Sequence, residues 1–484
     1  MSETIENIKI QYPTEGVIRS AQLNDTITPE NSVQLALNMH FDQIGSVTTR
    51  LGIAAYSDDL GGSVTSFGTL NIQGGNKRLY GQVGTDISVW DGATWTSVRT
   101  TTVATKARYS QWLNHVYMVN GTDALQASTG GTFSALANFV PATAMPVGHY
   151  IQAGFDGRIW VANKSDDALY YSDIVQFDPS GSPKYSVTYD ASNFVESFSP
   201  QDGESITGLF RVPKALLVFK ENHIYRVYSA TNVDPYPAYN VGTYSQESIV
   251  QGKDGIYFHH SSGFYKFNYS SQPTEISRRV IDFVKAIPRA SYEDIVGVYD
   301  GFDAIKWSIG SVTVEGVTYA NCQMRYSIST QIWTVYDFGG NNITSLIRFD
   351  DGTTIEQIAG TDTGAVSKLD SGFTDLGTDI SYEMIDRWRS YTEMYSDSKK
   401  ITGVTVLSKN GAGALLQHQF EKEGANVWKD IGTVDENYAS LFPNAETSDF
   451  NISRFRLKGN TRGTPMVFDG IEILKLSDEG LNNN

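Results

Sequence analysis

Short segments of alternating apolar and polar residues, or of clustered β-branched and aromatic residues, recur along the chain. They include LYGQVG (79–84), ISVWDG (87–92), HVYMVNG (115–121), RIWVAN (158–163), ALLVFKEN (215–222), IYRVYS (224–229), GIYFHHSSG (255–263) and FYKFNYS (264–270). Period-two patterning bounded by Gly, Asn, Asp and Pro predicts strands. Asn120-Gly121, Asp156-Gly157, Asp254-Gly255, Ser262-Gly263 and Asp351-Gly352 each fall between two such runs and read as hairpin turns. One helix is predicted, Ser277 to Ile287. There Val280, Phe283, Val284 and Ile287 recur at helical spacing, Ser277 is placed to cap the start, and Pro288 follows the end.

Strand clusters begin near Ser66, Ala107, His149, Ser205, Glu247, Glu293 and Ile343, at intervals of about 40 to 60 residues. That is the period of four-stranded propeller blades. The last cluster is short, so Val47 to Ala54 is expected to lend it a strand and close the ring. After Asp370 the texture changes, and six further strand patterns follow in a sandwich-sized unit. The predicted fold is all-β: a β-propeller of about seven blades followed by a C-terminal β-sandwich. The predicted divisions are an N-terminal segment and hairpin strand, 1–44, packing on the propeller; the propeller, 45–370; a linker, 371–378; and the sandwich, 379–484.

Composition narrows the chemistry. The chain has 484 residues, with 37 Lys plus Arg against 54 Asp plus Glu, a net charge of −17. An acidic chain without a basic tail is not expected to grip nucleic-acid phosphates specifically. A single cysteine, Cys322, excludes an intrachain disulfide. No apolar run has the roughly 18 residues of a membrane helix, so no membrane anchor is expected. The opening MSETIENIKIQYP lacks the basic and apolar regions of an export signal.

The segment Ala36-Leu-Asn-Met-His-Phe-Asp-Gln-Ile-Gly-Ser-Val-Thr-Thr-Arg-Leu-Gly52 resembles the opening motif of tailed-bacteriophage virion β-propeller proteins of the tail-nozzle or head–tail-ring type. Ala36, Asn38, Asp42, Gly45, Arg50 and Gly52 occupy the motif positions. The resemblance continues at Leu169 to Asp173, at 255–284 and in the strands of 454–474. It implies a non-catalytic structural component of the virion. Such a protein forms part of a homo-oligomeric ring in the tail nozzle or head–tail connector through which DNA passes. The implied partners are portal, adaptor or tail proteins, with assembly in the host bacterial cytoplasm. Read as residues, Asp42 to Gly45 suits a hairpin turn. Arg50 either points inward as a ring-closing anchor to a carboxylate or lies solvated on a strand face. Gly52 permits close backbone approach inside a blade.

Other chemistry is sparse, and no catalytic residue, metal site or cofactor is expected. His259 and His260 alternate faces on a strand, so they do not share a metal. The pairs Asp58-Asp59, Asp166-Asp167 and Asp350-Asp351 lie in turn-like stretches and read as solvated turn acids. SVWDGATW (88–95) resembles an Asp box with altered spacing, and Trp90 and Trp95 read as packing residues. Tyr236, Tyr239 and Tyr244 are expected as exposed loop aromatics. They motivate an alternative function, a receptor- or glycan-binding propeller. A propeller glycosidase or lyase is a third.

Overall fold

The computed structural model describes residues 8–11, 15–19, 32–41, 46–72, 75, 77–135, 147–165, 167–172, 174, 176–177, 183–184, 195–234, 237–269, 272–389, 399–420, 427–434, 438–441, 448–450 and 453–478. Asp42, Gly45, Asp166 and Tyr236 lie outside the described residues.

Seven four-stranded antiparallel units follow one another. Blade 1 spans residues 64–100, blade 2 108–135, blade 3 150–198, blade 4 206–233, blade 5 250–275 and blade 6 296–337. Blade 7 has three strands between 343 and 368, and its fourth is Ala54–Ala55, in register Ala55↔Ser367 and Ala54↔Lys368. The first strands run side by side around a ring, and Ile343–Asp350 of blade 7 lies beside Val64–Asn71 of blade 1. The ring is closed. Its closing strand lies further along than expected, because Val47–Thr49 pairs instead with Met39–His40 and with Val467–Asp478. Neighbouring blades bury side chains between them. Tyr80, Val116, Met118 and Phe133 pack together between blades 1 and 2, and Phe219, Ile256, Phe258 and Phe267 between blades 4 and 5.

Blade 6 does not end at its fourth strand. Trp333–Asp337 pairs in parallel with Val33–Leu37, which pairs antiparallel with Ser381–Asp386. Ser453–Asn460, Ala414–Phe420 and Lys429–Val434 complete a nine-stranded sheet shared by propeller and sandwich. The facing sheet is built from Met39–His40, Val47–Thr49, Val467–Asp478, Lys399–Lys409 and Tyr438–Leu441. Ile8–Gln11 pairs with Val467–Asp478. One apolar core runs from Trp307 and Trp333 of blade 6 through Val33 and Leu35 to Met384, Val406, Phe455 and Ile471. Residues 33–41 and 46–55 therefore form a strap that enters three sheets, and residues 371–378 are tied down as well. Thr374–Asp375 pairs with Thr378–Asp379 in a small hairpin.

Two local expectations are corrected. The predicted helix is a 3-10 turn, Arg278–Val280, followed by a short α-helix, Ile281–Ala286, with the expected apolar face buried. Ser277 does not cap it, because its Oγ accepts the Phe264 amide at 3.0 Å and so ties the turn to blade 5. Tyr239 is not an exposed loop aromatic. It is buried, 4.8 Å from Phe267 between ring centres, because its backbone bridges to Ile224 and turns the ring into the gap between blades.

Candidate functional site: the closing strap and the propeller channel

The strap converges on one guanidinium. Arg50 is 1% exposed and meets Asp375 through a fork, Nη1 to Oδ1 at 2.8 Å and Nη2 to Oδ2 at 2.5 Å. Its Nε donates to Asn38 Oδ1 at 2.8 Å, Nη1 donates to the Leu51 carbonyl, and Nη2 donates to the Asp337 carbonyl at 3.2 Å. The Phe338 ring lies beneath it at 4.2 Å. Planar bidentate pairing over an aromatic face is geometry that arginine supplies and lysine does not.

Asn38 stands at the strap's sharpest bend, with φ 56°, a left-handed conformation that asparagine tolerates better than bulkier residues. Its side chain completes the knot. Oδ1 accepts from the Asp337 amide as well as from Arg50, and Nδ2 donates to the Ser381 carbonyl at 2.7 Å. Asn38 thus touches blade 6 and the sandwich together. Gly52 sits where the strap crosses the 374–379 hairpin. A Cβ there would overlap the Thr374 carbonyl, and the Gly52 amide donates to the Gly372 carbonyl at 3.0 Å. Ala36 is fully buried on Val33–Leu37, opposite Met384.

Asn38, Arg50 and Gly52 therefore come together, Ala36 lies on the adjoining strand, and Asp42 and Gly45 fall outside the described residues. Sequence reasoning missed Asp375. Its available signal was an acid in a Gly- and Thr-rich stretch placed where a buried arginine needs a counter-charge.

A second polar cluster links blade 2 to the turn before blade 5. Arg108, on the first strand of blade 2, pairs with Glu247, on the turn leading into blade 5, Nε to Oε1 at 2.8 Å. Blades 2 and 5 are not neighbours, so this pair joins parts of the ring that are not adjacent along it. Arg108 also lies 4.5 Å from the Tyr150 ring centre, and Lys106 approaches Glu247 at 3.9 Å. Burial pushes the Glu247 carboxyl up, but Arg108 and Lys106 outweigh it and hold the group at about 2. A hollow of about 450 Å³ has a lining that includes Ser63, Thr65, Lys106, Asp294, Asn342 and Asp362.

The remaining candidates resolve into packing and turns. Asp167 holds the fully buried Lys220 at 2.8 Å together with Asp202 at 2.5 Å, clasping blade 3 to blade 4. The lysine that ends the otherwise apolar run ALLVFK was the signal for this clasp. Asp351 accepts the Thr353 and Thr354 amides in its own turn, and Asp350 pairs with Lys77. Trp90 and Trp95 are cross-strand partners with centres 5.5 Å apart, and Asp91 closes the turn between them. His259 is fully buried against Phe264 and Tyr292, whereas His260 meets Ser262 and Asn222. Cys322 is buried, which pushes its thiol up. Among the described residues no group of three or more His, Cys, Asp or Glu side chains is arranged to hold a metal.

Fold and site together define a seven-bladed β-propeller braced by a β-sandwich. No profile of a known protein family matches the sequence, and no curated protein matches it. Among solved structures the chain is similar to virginiamycin B lyase from Staphylococcus aureus, at 14% identity and TM-score 0.44 over 66% of this chain and 99% of that one. It is also similar to BamB from Moraxella catarrhalis, at 12% and 0.38 over 76% and 96%. A third is the computationally designed protein Ika8, at 11% and 0.39 over 66% and 99%. Likeness at this level carries no argument about function, and these neighbours do not point to a virion component.

Proposed function

We propose that the chain is a non-enzymatic structural protein of a tailed-phage particle. In this reading it forms part of a homo-oligomeric ring in the tail nozzle or head–tail connector, in contact with portal, adaptor or other tail proteins. The observation that carries the reading is the strap. The described residues on which the sequence resemblance rests, Ala36, Asn38, Arg50 and Gly52, are also those that brace propeller and sandwich into one body. A part of a pressurised conduit has to resist relative motion of its domains, and a shared sheet with a buried ion pair at its junction provides that. With a net charge of −17, a wall made by such copies would slide past a duplex and not hold it.

The test is a phage with a stop codon early in this reading frame. The proposal expects heads that fail to complete a tail or that lose packaged DNA. Complete particles that fail only to adsorb would overturn it. They would favour the receptor- or glycan-binding reading, for which the polar hollow lined by Ser63, Thr65, Lys106, Asp294, Asn342 and Asp362 is the relevant feature.

A further inference from the structure

Lys220 ends the otherwise apolar strand Ala215–Lys220 of blade 4, and its side chain has no exposure to solvent. Two aspartates meet its amine. Asp167, in the turn joining the second and third strands of blade 3, stands 2.8 Å from Nζ through Oδ2. Asp202, on the segment leading into blade 4, stands 2.5 Å from Nζ through Oδ1. The backbone is bent to bring them there. Asp167 has φ 55° and Gln201, beside Asp202, has φ 49°, both in the left-handed region that non-glycine residues enter uncommonly.

The two carboxyl groups are held differently. Asp202 has both oxygens engaged: Oδ1 accepts the Glu204 amide at 3.1 Å as well as Lys220, and Oδ2 accepts the Tyr225 hydroxyl at 2.6 Å. Burial pushes Asp202 up, but Lys220, Tyr225 and the Glu204 amide outweigh it and keep the group a carboxylate. Asp167 goes the other way. Burial pushes it up by more than Lys220 and the nearby Gln201 amide pull it down, and the charge of Asp202 adds to the rise. Its Oδ1 is buried with no hydrogen-bond partner among the described residues. An orphan oxygen suits a neutral carboxyl better than a buried carboxylate, which needs donors on both oxygens. Glu204 does not compete for the amine, since Asn222 and His223 occupy its two oxygens.

We propose that Lys220 and Asp167 condense into an intramolecular isopeptide bond, Nζ to Cγ, with Asp202 as the acid–base group. The folded chain makes the bond itself. Lys220 passes one proton to Asp167, which leaves a free amine beside a neutral carboxylic acid. The nitrogen lone pair attacks Cγ. Asp202 takes a proton from that nitrogen and hands it to the Asp167 hydroxyl, which departs as water. One amide forms, one water is lost, and Asp202 is again a carboxylate, so no oxidant or co-reactant is required. Folding supplies the proximity, and well-oriented intramolecular groups react as if at about 10⁵ M or more. The two acids keep 18% and 21% of their side-chain exposure, which gives the water a way out. The product turns the clasp between blades 3 and 4 into a covalent one, and the inference stands independently of the ring reading.

The experiment is mass spectrometry of the purified full chain under denaturing conditions, followed by a protease digest. Wild type is expected to be lighter than its sequence by one water. Its digest is expected to contain a branched peptide that joins the Asp167 segment to the Lys220 segment. Lys220→Arg keeps the charge but not the nucleophile, so it is expected at full sequence mass with two linear peptides. Asp167→Asn keeps an electrophilic carbon, and its bridge is expected to release ammonia in place of water. Asp202→Asn is expected to slow bridging at least about 100-fold after refolding, as loss of an acid–base group does. Wild type at full sequence mass, with only linear peptides from these segments, would overturn the proposal, and that result decides even if a variant fails to fold. A missing water traced to another pair of residues would overturn it too, as would bridging undiminished in Asp202→Asn.

Discussion

Replacing Arg50 with methionine removes the fork to Asp375 while keeping a long side chain over Phe338. Arg50 is 1% exposed and Asp375 10%, so the carboxylate left behind is desolvated and without its counter-charge. Breaking a buried pair from one side costs about 3–5 kcal/mol, and this pair also loses the donors to Asn38 and to the Leu51 and Asp337 carbonyls. The loss is expected to be local first. Residues 52–56 and 372–379 are held to each other by Gly52 to Gly372, Ile53 to Thr374 and Leu376 to Ile53 backbone bonds, and these sit directly over the ion pair.

Native-state hydrogen exchange reads that opening amide by amide. At about 1.4 kcal/mol per decade, exchange in the two segments should accelerate by roughly 100-fold or more, with blades 2 to 4 little changed. Arg50→Lys, which keeps the charge but loses the fork, should fall between wild type and Arg50→Met. Adding Asp375→Leu to Arg50→Met should recover part of the loss, because it removes the stranded charge. Exchange accelerated by less than about tenfold in Arg50→Met would refute the view that this pair clamps the ring closure.

Three further outcomes follow from the same structure. His259 and His418 are both held near 3 by burial, so their folded pKa values lie below the unfolded one. That stabilisation is full above about pH 6.5 and is lost as pH falls toward 3, by about 2 kcal/mol per histidine at pH 5; urea titrations should show His259→Phe with a visibly flatter pH dependence than wild type. Gly52→Ala should destabilise by about 2 kcal/mol or more, since a backbone carbonyl has to move to admit the methyl group, and a thermal melt indistinguishable from wild type would count against it. Duplex DNA should show no binding by fluorescence anisotropy at about 0.15 M salt, and submicromolar affinity would contradict the conduit-wall reading.

The blades were legible because each begins with a period-two strand behind a turn residue. Inner strands predicted near Ser66, Ala107, His149, Ser205 and Ile343 begin at Val64, Arg108, Tyr150, Ile206 and Ile343. Three of the five predicted turn pairs lie between paired strands, and in the other two the turn falls one residue earlier, so that Gly255 and Gly263 open the following strands. The continuation of blade 6 into the sandwich was not legible. It depends on a parallel pairing between Leu37 and Val335, residues almost 300 positions apart, and no local pattern announces such a partner. Distance along the chain likewise hid Asp375 from Arg50, 325 positions away, and Glu247 from Arg108, 139 positions away, since opposite charges find each other only once the ring has closed. Ser277 was misread for a related reason. Its hydroxyl had a local use as a cap and a tertiary use against Phe264, and the tertiary use won.

The most direct test of the proposed ring role is a cryo-EM reconstruction of intact particles of a tailed phage whose genome encodes this chain. Several symmetry-related copies are expected to encircle the DNA path, each with its propeller and sandwich in the fixed relation set by the shared sheet. The chain's absence from the particle, or its presence only at a peripheral receptor-contacting tip away from the DNA path, would contradict that role.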